Sequence, residues 1–119
     1  MMRIAQVTYS YKPVHGGADV YALALHRLIE AAGHESLVWQ GHDPAAEGAE
    51  VRAIPETHLS RLGRGRFWTL PLGLRRTRAG LAECDVIIAH YANYHSPVSW
   101  HPATVLLSHG VWWDDRPGA

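Results

Sequence analysis

Two glycines stand side by side, Gly16 and Gly17, in the stretch "YSYKPVHGGADV", where an apolar run hands over to a helical pattern. A helix N-terminus carries unpaired N–H groups and a partial positive charge, which together stabilise an anion. Glycines let the backbone approach such an anion closely. No Ser, Thr or Asn side chain stands at this helix start to occupy those groups. A phosphate cradle and a plain chain turn both remain open. Two histidines follow apolar, β-branched runs: His90 after "DVIIA" and His109 after "ATVLLS". His109 precedes Gly110 and is placed to donate a hydrogen bond to a ligand hydroxyl or to shuttle a proton, or else it only caps a loop.

Other chemistries lack their residues. The loop has no G-x-G-x-x-G, which disfavours a nicotinamide or flavin dinucleotide, and no G-x-x-x-x-G-K-[ST], which excludes an NTP-hydrolysing P-loop. The 9 histidines form neither H-x-H nor H-E-x-x-H, and Cys84 has no C-x-x-C partner, so no metal is expected. A single cysteine also excludes an internal disulfide and fits a reducing compartment. His34, in "AGHES", is expected in a turn with a structural role.

These residues need elements to hold them. "RIAQVT" (Arg3–Thr8), "ESLVWQ" (Glu35–Gln40) and "VRAI" (51–54) are predicted as strands. Between the first two, Val20, Leu23, Ala24, Leu28 and Ala31 recur at steps of three and four, marking one face of a helix over 18–32 that Gly33 stops. "DVIIA" (85–89) is the pattern of a strand buried on both faces, and "ATVLLS" (103–108) repeats it. A short helix fits 74–83. The sum is an α/β fold, a Rossmann-like parallel sheet with flanking helices and strand order 3-2-1-4-5. In such sheets ligands lie beyond the carboxyl ends of the strands where the order reverses. The Gly16-Gly17 loop, His90 and His109 then converge there.

At 119 residues, 47% hydrophobic and 18% charged, the chain suits one domain. Its 11 basic and 11 acidic residues cancel, so nothing favours nucleic acid as a partner. The N-terminal apolar run is broken by Gln6 and is too short for a signal peptide or a membrane span, making a cytoplasmic protein the default. The chain stops after Trp112 and Trp113 with no closing element, as expected of the front part of a larger protein. Six arginines, Arg61, Arg64, Arg66, Arg75, Arg76 and Arg78, are interleaved with Leu62, Phe67, Trp68, Leu70 and Leu72. They fit a solvated face, a site for an acidic or phosphorylated acceptor, or a peripheral membrane contact through Arg61–Arg78 with Phe67 and Trp68 as anchors.

Three segments in order, "MRIAQVTYSYKPVHGGADVYALALHRLIEAAGHES", "CDVIIAHYANYHSP" and "TVLLSHGVWW", resemble the opening of family 4 glycosyltransferases of the GT-B fold. The resemblance implies an enzyme that moves a sugar from a nucleotide-sugar donor to a sugar, lipid or small-molecule acceptor, with retention and without metal or other cofactor. It implies that residues 1–119 are an incomplete N-terminal, acceptor-side lobe, inactive alone, with the donor-binding lobe absent. Family members often work at the inner membrane surface, which would give the arginines a purpose. By the same carry-over Gly16 and Gly17 would contact the donor diphosphate and His109 would be the active-site histidine. Tyr11, Lys12, Asp19, His90 and Asn93 would line the acceptor side. A nucleotide-dependent epimerase or dehydrogenase shares the sheet but should place an acidic residue after strand two, where only Asp43 is available. A non-catalytic Rossmann-like binding module is the other alternative.

Overall fold

The computed structural model describes residues 1–9, 17–41, 50–55 and 70–107. The described residues form one five-stranded sheet: β1 (Arg3–Thr8), β2 (Glu35–Gln40), β3 (Val51–Ala53), β4 (Val86–His90) and β5 (Thr104–Leu107). Every pairing is parallel and the order is β3-β2-β1-β4-β5, as the apolar pattern predicts. β1 is therefore central. Its Gln6 lies opposite Val38 of β2 on one side and Ile88 of β4 on the other. The order reverses between β1 and β4, which fixes the switch point at their carboxyl ends.

Successive side chains of a strand point to opposite faces, and a parallel sheet with helices on both sides must bury both. One face carries Val38 and Val51 and is covered by α1 (Gly17–Ala31) through Ala22 and Leu23. The helix forms where its period predicts, but turned about its axis. The buried residues are Asp19, Ala22, His26 and Ile29, whereas Val20 and Leu28 of the apolar series face outward. Hydrogen bonding explains the difference. The His26 ring sits 2.7 Å through Nδ1 from Ser36 Oγ on β2 and 3.0 Å through Nε2 from Glu30 Oε1, so a polar residue is satisfied inside. α1 ends in a Schellman motif: His34 N donates to Ile29 O and Gly33 N to Glu30 O, with Gly33 at φ +87°. His34 then takes the structural role expected of it, its Nδ1 accepting from Met2 N at 3.0 Å.

The other face carries Ala5, Val7, Trp39, Ile87 and Ala89. In place of the single helix expected over 74–83, a 3₁₀ helix (Leu70–Thr77) leads into α2 (Arg78–Ala82). Leu74 and Leu81 seal this face from these two elements. After β4 come α3 (Ala92–His95) and a 3₁₀ turn (Ser96–Val98), which add Tyr94 and Val98 to the same core. Gly73 is buried against the exit of β3, and a Cβ there would overlap the Pro55 carbonyl. β5 departs from expectation. It reads as a doubly buried strand, yet Val105 is 47% and Leu106 42% exposed, because it has a strand neighbour on one side only among the described residues.

The amino ends of the strands are tied by polar groups. Asp85 accepts from Arg3 N at 2.7 Å and returns its own N–H to Arg3 O, while the Arg3 guanidinium reaches Glu35 at 2.8 Å. His101 closes β4 against β5: Nε2 donates to Cys84 O at 2.7 Å and Nδ1 accepts from Ala103 N at 3.0 Å. Cys84 is buried, and that burial pushes its thiol up to about 11.

Two tests follow from this packing. Gly33 has open space around its Cβ position, so Gly33→Ala is expected to cost about 1 kcal/mol through backbone strain alone. Gly73→Ala must displace a carbonyl and is expected to cost roughly 2 kcal/mol or more. Urea midpoints measure both, and a milder loss for Gly73→Ala than for Gly33→Ala contradicts the contact. For Cys84, the unfolded thiol gives up its proton near its ordinary value of 9.0 while the folded one retains it. Stability contributed by the buried neutral thiol is thus full below about pH 9 and declines towards about pH 11. The urea midpoint of the native chain should fall over that window more than that of Cys84→Ala, and equal slopes contradict it.

Candidate functional site

The α1-facing side of the sheet changes character along the strands. Towards the amino ends it carries Ile4 and Ser36, the latter bonded to His26 of α1; towards the carboxyl ends it presents Gln6 and Thr8 on β1, Gln40 on β2 and His90 on β4. Thr8 is in register with Gln40, and His90 lies one step beyond Ile88, the register partner of Gln6. All four are at most 1% exposed. Above them stands the first turn of α1, with Asp19 at 5% exposure. Burying five polar side chains costs free energy unless each is hydrogen-bonded or charge-paired, and these five collect at the switch point, where open parallel sheets hold their ligands.

At its centre runs a chain of two hydrogen bonds. Gln6 Nε2 donates to the Ala22 carbonyl of α1 at 3.1 Å, and Gln6 Oε1 lies 2.6 Å from His90 Nε2. Tyr21 adds an edge-on ring contact to His90, with centroids 6.3 Å apart. Beyond His90 the backbone of Tyr91 takes φ +84°, a left-handed conformation that is uncommon for a tyrosine. Such strain persists where the surroundings over-determine it, and it clusters at functional sites. The Tyr91 N–H is held by Leu107 O at 3.3 Å. Its phenol is pushed up, first by burial and then by the Asp19 carboxylate, so the start of α1 and the end of β4 share one electrostatic environment.

Of the residues singled out from the sequence, Asp19 and His90 are brought to this end of the sheet, and Gly17 is the first residue of α1. Asn93 lies in α3, three residues after the end of β4. Tyr11, Lys12, Gly16 and His109 lie outside the described residues. His90 is the last residue of β4 rather than a residue of the following loop. Sequence reasoning missed Gln6, Thr8 and Gln40. A signal existed: Gln6 and Thr8 are polar at alternate positions of an otherwise apolar strand, which puts them on one face.

Of the six arginines, Arg75, Arg76 and Arg78 are described, and they lie on the opposite side of the sheet from α1. Arg75 and Arg78 line an open cleft of about 330 Å³ with Ser96, Pro97, Ser99 and Trp100, the Arg78 guanidinium standing 4.4 Å from the Trp100 ring centre. Among the described residues no group of three or more His, Cys, Asp or Glu is placed to hold a metal ion, and no helix is long and apolar enough to cross a membrane. Compared with protein-family models and with curated proteins, the chain matches none.

The Asp19–Tyr91 relation is open to titration. Removing the carboxylate charge by Asp19→Asn should lower the Tyr91 pKa while leaving it above the ordinary phenol range, because burial is the larger cause and remains. Ultraviolet difference titration against Tyr91→Phe isolates that phenol. An unchanged Tyr91 titration in Asp19→Asn contradicts the juxtaposition.

Proposed function

We propose that the chain is the acceptor-side, N-terminal part of a glycosyltransferase that moves a sugar from a nucleotide-sugar donor to a hydroxyl acceptor. The observation that carries the reading is the buried polar group at the carboxyl ends of β1, β2 and β4 under the first turn of α1. Open parallel sheets hold their ligands at this position, and a sugar presents the hydroxyls that Gln, Thr, Asp and His side chains recognise. The three-segment resemblance to family 4 glycosyltransferases supports the GT-B assignment and an incomplete lobe. Retention and metal independence rest on that resemblance alone. A dehydrogenase is disfavoured because β2 ends in Gln40 where an acidic ribose ligand is needed.

In this reading Gly16 and Gly17 approach the donor diphosphate, His109 acts on the reacting sugar, and Tyr11, Lys12, Asp19, His90 and Asn93 line the acceptor side. The arginine-bearing segment serves a cytoplasmic enzyme that touches the inner membrane surface. The protein in the full length its gene encodes is expected to hydrolyse or transfer from one of UDP-glucose, GDP-mannose and ADP-glucose in the presence of EDTA. His109→Ala is expected to lower kcat by roughly 100-fold or more. Normal turnover in that variant contradicts the role of His109. Donor binding without turnover identifies a binding module instead, and neither binding nor turnover overturns the reading.

A further inference from the structure

On the side of the sheet opposite α1, two anchored walls enclose the arginine-lined cleft. The first wall is the junction of the 3₁₀ helix with α2. Leu74 and Leu81 are fully buried and fix its inner side, which leaves Arg75 and Arg78 exposed. These two are three residues apart, about one helical turn, so both emerge towards the same cleft. The second wall is the 3₁₀ turn after α3. Val98 anchors it in the core, the Ser99 hydroxyl donates to Ser96 O at 2.8 Å, and Thr104 Oγ1 donates to Val98 O at 3.2 Å. Trp100 meets the His101 ring edge-on, with centroids 5.6 Å apart, and carries the Arg78 guanidinium over its face. A cation over an indole is held by the ring rather than by an acceptor, so the N–H groups of Arg78 remain available to a ligand.

The charges in this cleft are not balanced from within. Among the described residues, no Asp or Glu lines it and neither Arg75 nor Arg78 pairs with a carboxylate, whereas Arg3 reaches both Glu35 and Glu83. Its volume of about 330 Å³ lies at the small end of the roughly 300–1,000 Å³ range of small-molecule sites. A phosphomonoester suits two guanidinium groups better than a carboxylate does. It carries nearly two charges and three acceptor oxygens, one for each arginine and one for a hydroxyl. We propose that the cleft is a phosphomonoester site in which Arg75 and Arg78 hold the phosphate, the Ser96 hydroxyl donates to it, and Pro97 and Trp100 flank the group that bears it. His101 bonds to Cys84 O just before β4, which puts Trp100 near the amino ends of the strands, away from the switch point. The site is thus independent of the sugar reading and stands or falls without it.

Glucose 6-phosphate is the probe. In ¹⁵N spectra of the native chain at neutral pH it should move the Nε–H signals of Arg75 and Arg78, the Trp100 indole N–H and the Ser99 amide together. Chloride at equal ionic strength should leave them in place, and acetate should bind at least tenfold more weakly. Arg75→Gln should raise the apparent Kd about tenfold, and Arg75→Lys by less, since it keeps the charge but loses the planar fork. No shift at these four positions, equal shifts with chloride or acetate, or a response that Arg75→Gln leaves unchanged overturns the site. Phosphatidylcholine vesicles containing phosphatidic acid then distinguish the source of the phosphate. Sedimentation with them that glucose 6-phosphate relieves assigns a lipid headgroup. No sedimentation alongside an intact response to glucose 6-phosphate assigns a soluble phosphorylated compound.

Discussion

A carboxamide with no access to water, at the centre of a sheet, must find partners for both of its ends. Gln6 does so in two directions, its nitrogen to α1 and its oxygen to β4. That requirement ties together three elements that are distant in sequence, and it makes β1 more than a spacer between β2 and β4. Leaving a buried amide unsatisfied costs about 1–3 kcal/mol, so α1 is held at one height over the sheet by a polar contact as well as by apolar packing. Its first turn, with Asp19, is thereby set beside His90 and Tyr91.

The sheet is divided by function along its length. At the amino ends, Arg3, Glu35, Asp85 and His101 clamp the strands to one another with groups that satisfy each other. At the carboxyl ends the polar residues are buried beneath a helix start, and the backbone of Tyr91 is strained. The first arrangement explains stability and asks for no ligand. The second also satisfies its polar groups, as Gln6 does with Ala22 O and His90, but it stands at the position where open parallel sheets hold their ligands.

Much of the architecture was legible. The apolar runs give the five strands, and right-handed crossovers with the buried β4 give their order. The helix over 17–31 and its stop at Gly33 follow from period and composition. The buried face of α1 was not legible, because Asp19 and His26 count against burial until Ser36 and the end of β4 are seen opposite them. The exposure of β5 depends on which strands flank it, which its residues do not record. The site was half visible: His90 could be placed by the end of its strand, whereas Gln6 gains meaning only once α1 lies above it. Gly16 and His109, on which the catalytic expectation turns, lie outside the described residues.

We propose that the carboxyl ends of β1, β2 and β4 under α1 form a ligand site. Backbone amide shifts of the ¹⁵N-labelled chain, recorded during titration with UDP-glucose, GDP-mannose and ADP-glucose, test it most directly. One of these donors is expected to move the amides of Thr8, Gly17, Asp19, Gly41, His90 and Tyr91 together. Shifts confined to Arg75, Arg78, Ser99 and Trp100 on the other side of the sheet, or no shifts with any donor, would contradict it.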